Sequence, residues 1–104
     1  MGSVRYPEDR SPFRAELEER YERFAQLRED FLVNYQYETA RAYWGDLEHL
    51  NDWCMERKLD ILELSEKDLK RYLAWMRRRG YSPATVRRRQ GTLRSFRTHT
   101  RDET

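Results

Sequence analysis

The sequence predicts an all-α fold, built as a compact four-helix bundle, and three observations point to it. Ile and Val together supply only four of the 104 residues, so an extended β-sheet lacks its usual residues. Apolar side chains recur at three- and four-residue spacing in separate stretches, which is the spacing of one helix face. The chain also holds 3 Trp, 7 Tyr and 4 Phe, whose large side chains can fill the core of a single small domain.

The first helix is predicted over residues 12–33. It follows a Ser11-Pro12 start, which suits a helix N-terminus because Ser caps the free N–H groups and Pro fits the first turn. The apolar face of this helix carries Leu17, Tyr21, Phe24, Leu27 and Phe31. Residues 1–11 are expected to form a flexible tail, and residues 12–100 the folded domain.

The second helix is predicted over residues 37–57, and a loop rich in Leu separates it from the third. The apolar face of the second helix carries Ala40, Tyr43, Leu47, Leu50 and Cys54. Ser65 begins the third helix, and Asp68 three residues later makes the pair an approximate capping box. Gly80 ends the third helix because glycine readily adopts the left-handed backbone of a helix C-terminus.

The fourth helix is predicted over residues 83–99, after a second Ser-Pro start at Ser82-Pro83. At 100° per residue, Val86, Leu93 and Phe96 share the core side. The opposite side carries Ala84, Arg88, Gly91 and Ser95, flanked by Thr85, Thr92, Arg87 and Arg94. Such a face, small in the middle and cationic at its edges, can approach a phosphate or a groove closely, although Gly91 could instead permit a tight helix crossing. Residues 101–104 are expected to begin a linker.

Positive charge is concentrated at one end of the chain, although the net charge is only +2. Residues 1–39 carry 6 Arg against 9 Asp and Glu, and residues 40–76 carry 6 Lys and Arg against 8 Asp and Glu. From Arg77 to Arg101 there are nine arginines and no acidic residue. Guanidinium groups match the paired acceptors of phosphate and guanine, so this segment favours a nucleic-acid surface. The alternatives are a solvated Arg-rich stretch and, for the triplet that starts at Arg77, cations at the negative end of a helix dipole.

The sequence lacks the residues that several kinds of catalytic site need. Two histidines and one cysteine cannot form a four-ligand zinc site, and the four scattered glycines form no phosphate-binding loop. We therefore expect no metal and no cofactor, and we expect His49 and His99 to lie on the surface. No apolar run approaches the roughly 18 residues that a membrane span needs, so we expect a soluble, intracellular chain without a membrane partner.

Three motifs occur in a fixed order along the predicted second, third and fourth helices. The residues that carry them are Thr39, Tyr43, Leu47 and Trp53, then Leu62, Leu64, Tyr72 and Leu73, then Ser82, Thr85, Val86, Arg88, Leu93 and Phe96. In this order and spacing, about residues 16–100 resemble the core-binding domain of the tyrosine recombinases, the phage-integrase and Xer-like family. The resemblance implies a SAM-like helical bundle that forms one half of a clamp on duplex DNA.

The resemblance also implies which residues contact DNA. By position they are Thr39 and Arg41 in the second helix and Ser82, Thr85, Arg87, Arg88 and Thr92 in the fourth. The helical wheel independently adds Gly91 and Ser95. Electrostatic support is expected from Arg77, Arg78, Arg79 and Arg94.

The catalytic groups of this family are an Arg, a Lys, a His-x-x-Arg motif and a Tyr nucleophile, and they lie in a separate, following domain. Neither histidine here begins that motif, since Asp52 stands three residues after His49 and Asp102 three residues after His99. We expect no catalytic residue in this chain, which would be a fragment of a DNA strand-transfer enzyme. The expected partners are duplex DNA, the catalytic domain of the same protein and other recombinase protomers, in the cytoplasm and on the nucleoid of a prokaryotic or viral system.

Two other functions are compatible with the sequence. A stand-alone protein-interaction or regulatory domain would use an exposed apolar stripe, with Trp44 and Trp75 as its markers. Binding of single-stranded nucleic acid or RNA would use the same arginines against a different ligand.

Overall fold

The computed structural model describes residues 12–102, and these form four α-helices and one short 3₁₀ turn. The helices are α1 (Pro12–Leu32), α2 (Tyr37–Glu56), α3 (Glu66–Arg78) and α4 (Pro83–Asp102), and the 3₁₀ turn is Ile61–Glu63. No strand occurs within these residues, and the all-α prediction is confirmed.

The predicted helix boundaries differ little from the observed ones. The largest difference is at the end of α4, which continues through Asp102 rather than stopping at residue 99. Arg101 and Asp102, which were expected to begin a linker, are therefore in the last turn of this helix. The predicted tail over residues 1–11 and its Ser11 cap lie outside the described residues.

The core lies where α4 packs against the other three helices. The predicted core side of α4 is confirmed, because Val86, Leu93 and Phe96 are all buried. Phe96 meets two rings of α1 edge-on, with centroid distances of 5.9 Å to Phe24 and 5.5 Å to Phe31. The rest of the buried apolar set is Leu32, Leu47, Leu50, Trp53, Cys54, Ile61, Leu64, Leu69, Tyr72 and Met76. Aromatic rings thus supply volume that a chain with few Ile and Val residues otherwise lacks.

Local signals define both ends of α3. The Ser65 hydroxyl accepts the Asp68 backbone N–H at 3.0 Å and the Asp68 carboxylate accepts the Ser65 N–H, which completes the predicted capping box. At the other end Gly80 has φ +91°, and the Tyr81 N–H donates to the Met76 carbonyl at 3.2 Å. This is a Schellman ending, and it turns the chain sharply from α3 into α4.

None of the helices in residues 12–102 combines the length and apolar character that a bilayer crossing requires.

Two glycines with equally open surroundings are predicted to respond to alanine in opposite directions. A Cβ at Gly80 or at Gly91 would meet no atom within 4 Å, so only backbone conformation distinguishes them. Gly80→Ala forces a left-handed residue and lowers the free energy of unfolding by about 1 kcal/mol. Gly91→Ala, in the middle of α4, raises it by about 1 kcal/mol. Urea unfolding followed by circular dichroism measures both, and changes of the same sign would contradict the assignment.

Candidate nucleic-acid interface

Helices α2 and α4 line a shallow surface hollow on the side where the sequence places the nucleic-acid contacts. The lining residues are Glu38, Arg41, Ala42, Gly45, Asp46, Arg88 and Arg89. Four further residues of α4 are exposed to solvent, namely Arg87, Gly91, Arg94 and Ser95, and Arg94 also lines a groove between α3 and α4. The hollow and these four residues are called the α2/α4 surface below.

A buried carboxylate lies at the floor of the α2/α4 surface. Asp46 of α2 is only 1% exposed, and its oxygens accept hydrogen bonds from three side chains of α4. Arg88 donates from Nε at 3.1 Å and from Nη2 at 2.6 Å, Arg89 donates from Nε at 3.4 Å, and the Thr92 hydroxyl lies at 3.0 Å. A buried charge is costly unless it is paired and hydrogen-bonded, and here both conditions are met.

One edge of the Arg88 guanidinium is hydrogen-bonded to Asp46, and the rest of the side chain is accessible to solvent. Its side chain is 49% exposed although two of its nitrogens contact Asp46. The hydrogen bonds with Asp46 raise the pKa of the Arg88 guanidinium despite partial burial, so the group stays charged. Arg88 therefore presents a fixed cation at the rim of the hollow.

Thr92 does not lie where the helical wheel places it. It is 2% exposed, and its hydroxyl is 3.0 Å from an Asp46 oxygen and 3.1 Å from the Arg88 carbonyl oxygen. Its predicted position at the exposed edge is wrong because α2 crosses α4 on that side and brings a buried acid to it. Thr92 can therefore touch no ligand unless α2 and α4 separate.

The other predicted contact residues are accessible to different degrees. Thr39, Arg41, Ser82, Arg87, Arg88, Gly91 and Ser95 are exposed, and Thr85 is half-buried. Ser82 caps α4, since its hydroxyl accepts the Thr85 N–H at 3.1 Å. Within residues 12–102, Arg41, Arg87 and Arg94 form no ion pair, so their charges are available at the surface.

The arginine triplet at the end of α3 is exposed as well. Arg77 and Arg78 occupy the last turn of the helix, where cations suit the helix dipole. The Arg79 guanidinium lies over the Trp75 ring at 4.9 Å from its centroid. These positions agree with a supporting electrostatic role and equally with helix capping.

Within the described residues no other helix crosses α4 closely at Gly91, so the tight crossing considered from the sequence is not the reason for a glycine there. An added Cβ there would meet nothing within 4 Å, so no neighbouring helix requires the missing side chain. The same is true of Gly45 in α2. Each glycine leaves bare backbone on the α2/α4 surface.

His49 lies inside a polar–aromatic cluster, so its predicted position on the surface is wrong. It is half-buried, with Nδ1 2.6 Å from the Tyr72 hydroxyl and Nε2 3.0 Å from the Tyr81 hydroxyl. Burial lowers the pKa of His49 below its ordinary value of 6.5, and the nearby Arg89 charge lowers it further. Arg89 also lies over the Tyr81 ring at 4.9 Å, so one arginine joins this cluster to Asp46.

An internal ion pair on the far side of α2 was not predicted from the sequence. Arg28 of α1 is 4% exposed and donates to the Glu48 carboxylate at 2.6 Å. Its guanidinium also covers the Trp44 ring, 4.5 Å from the centroid. The position of Arg28, four residues after Phe24 and three before Phe31, is the one signal in the sequence that indicates its burial.

Among residues 12–102 no three His, Cys, Asp or Glu side chains are grouped so that they could hold a metal ion. Cys54 is buried, and burial raises the pKa of its thiol to about 12, which leaves it unreactive at neutral pH. The arrangement of charges suits the binding of an anionic polymer.

The family model described as the phage integrase N-terminal SAM-like domain matches residues 24–103, which is most of the chain. No curated relative and no solved structure matches the chain.

The His49 cluster predicts that acid destabilises the fold. The unfolded chain takes up a proton at His49 near pH 6.5, whereas the folded chain resists it because the pKa is lowered there. The free energy of unfolding should therefore fall as the pH drops below about 6.5, where only the unfolded His49 readily gains a proton. His49→Gln should remove this part of the pH dependence and His99→Gln should keep it, as measured by urea unfolding at several pH values. Identical pH profiles for His49→Gln and wild type would contradict this assignment.

Proposed function

The chain belongs to the phage integrase N-terminal SAM-like family, and from this premise we propose that it is the DNA-binding domain of a tyrosine site-specific recombinase. In this proposal the α2/α4 surface holds duplex DNA during DNA integration and recombination. The proposal goes beyond family membership because it names the ligand and the surface.

The observation that carries the proposal is the accessible positive charge of α4 and its neighbours. The segment from Arg77 to Arg101 has no acidic residue, and several of its arginines are exposed. Two acids lie at this surface: Asp46 is buried and paired with α4 side chains, and Glu38 is exposed beside a larger number of arginines. A duplex phosphate backbone therefore meets cations with little opposing charge.

The geometry of α4 suits a duplex. A helix of 20 residues is about 30 Å long, close to one turn of B-DNA. Bare backbone at Gly91 and small exposed groups at Ser95 allow close approach, while Arg87 and Arg94 extend beside them. Arg41 adds donors from the α2 side of the hollow, and the exposed Thr39 lies two residues before it in α2.

Strand cutting and rejoining belong, in this proposal, to a separate catalytic domain of the same protein. The partners would then be duplex DNA, that domain and further recombinase protomers on the DNA. The chain would act on the nucleoid, in the cytoplasm of a prokaryote or in a viral system.

The predicted markers of a protein-interaction domain do not form an open apolar stripe. Trp75 is half-buried and packs against His49, Tyr72 and Tyr81. Trp44 is 42% exposed, and the Arg28 guanidinium covers one of its faces. A salt-resistant oligomer in gel filtration, combined with no affinity for DNA, would nevertheless favour that function over DNA binding.

We expect that replacement of Arg87 by Ala removes one contact with a DNA phosphate. Each neutralised phosphate releases counterions and contributes about −0.9 to the slope of log K against log salt concentration. Arg87→Ala should therefore make this slope less steep by about 0.9 on a mixed-sequence duplex, as measured by fluorescence anisotropy.

The control is Arg23→Ala, which removes an exposed arginine from α1, outside the α2/α4 surface, where it lies 3.9 Å from the Asp60 carboxylate. Its salt slope should equal that of the wild type. Competition with single-stranded DNA and RNA identifies the preferred ligand. Absence of duplex binding by the wild type at low salt would overturn the proposed function.

A further inference from the structure

We propose that Asp46 is a positioning residue for DNA recognition, which holds the Arg88 guanidinium by one edge so that its other edge offers two parallel N–H donors to the DNA. The inference rests on the proposed function and adds a residue that never touches the ligand. Asp46 acts only through Arg88.

The donors of Arg88 divide into two sets. A guanidinium group carries five N–H donors, on Nε, Nη1 and Nη2. Asp46 takes the donor on Nε and one on Nη2, which lie along the same edge. Nη1 forms no hydrogen bond with residues 12–102, and the side chain is half exposed. The edge formed by Nη1 and the second N–H of Nη2 is therefore available to a ligand.

Asp46 is itself firmly held, which makes it a suitable support. Its carboxylate is 1% exposed and also accepts hydrogen bonds from Arg89 and Thr92. These two donors hold the carboxylate in place independently of Arg88. Because Arg88 is ordered before the ligand arrives, binding does not have to restrict a long flexible side chain.

The acceptor that fits this edge is a pair of adjacent lone-pair atoms. On a DNA duplex, two sources have that chemistry: the non-bridging oxygens of a phosphate, and the O6 and N7 atoms of guanine in the major groove. Binding to phosphate would not depend on the DNA sequence, because every nucleotide carries a phosphate. Binding to guanine would depend on it, because only some base pairs contain guanine.

Asp46→Asn tests the proposal because two physical effects predict opposite signs. The variant loses a negative charge beneath the DNA surface, so simple electrostatics predicts tighter binding. The positioning role predicts binding about tenfold weaker, because the amide is a poorer acceptor and Arg88 loses its fixed orientation. Affinity is measured by fluorescence anisotropy on a mixed-sequence duplex, at a temperature where circular dichroism shows the variant folded.

Glu38→Gln is the matched control. Glu38 is exposed and lines the same hollow, and within residues 12–102 it forms no ion pair. Its replacement removes the same charge from the same hollow and leaves the pair between Asp46 and Arg88 in place, so binding should become tighter. An Asp46→Asn variant that binds as tightly as wild type, or more tightly, would overturn the proposal.

A second variant separates positioning from general support of the fold. Arg88→Lys keeps the charge but has no two-donor edge, so it should also bind about tenfold more weakly. In this background Asp46→Asn should cause no further loss, whereas a purely structural Asp46 would weaken both backgrounds equally. If Asp46→Asn does not fold, Arg88→Lys decides alone, and wild-type affinity in that variant rejects the inference.

A third comparison identifies the acceptor. An alternating dA·dT duplex of the same length contains phosphates but no guanine. Equal losses for Asp46→Asn on both duplexes indicate phosphate, and a loss confined to the mixed-sequence duplex indicates guanine. Wild-type protein that binds neither duplex would overturn the proposed function itself, whereas wild-type binding with an unaffected Asp46→Asn variant overturns only this inference.

Discussion

The need to pair the buried carboxylate of Asp46 constrains how α4 lies on α2. An unpaired charge at 1% exposure would cost several kcal/mol, so its donors must come from the neighbouring helix. All three donors lie within five residues of α4, from Arg88 to Thr92. These contacts hold α4 in its observed rotation and register on α2. That rotation also sends Leu93 into the core and leaves Arg87 facing solvent.

The same pairing reduces the number of arginines near the end of the chain that are free to contact a ligand. The nine arginines from Arg77 to Arg101 are not equally available. Arg89 is bound to Asp46 and Tyr81, and Arg97 donates to Glu66 at 3.1 Å and to the Leu64 carbonyl at 3.0 Å. These two arginines mainly hold α4 on its neighbours. The charge open to an anionic ligand is therefore smaller than the sequence total suggests, and it lies on the solvent side of α4 and at the end of α3.

Local and periodic features of this fold are readable from the sequence. Apolar spacing predicts each helix, because burial of one face dominates helix packing, and Ser65 and Gly80 act through atoms within a few residues of themselves. The polar contacts in the interior, in contrast, cannot be predicted from the sequence in this way. Asp46 and Arg88 are 42 positions apart, and Arg28 and Glu48 are 20 apart. A helical wheel that assigns every polar residue to solvent cannot detect partners brought together only by tertiary packing. For this reason the wheel places Thr92 at an exposed edge of α4, whereas α2 covers it in the structure.

The hydrogen-bonded interior links the functional surface to the turn that precedes α4. Tyr81 follows the left-handed Gly80, its hydroxyl contacts His49 of α2, and Arg89 packs over its ring. Arg89 in turn contacts Asp46, so the start of α4 is tied to α2 at two separate points. A helix anchored in this way cannot rotate or slide without breaking polar contacts in a half-buried site, where each is costly to lose. The Arg88 guanidinium is consequently held in place before any ligand arrives, and binding need not supply the free energy to arrange it.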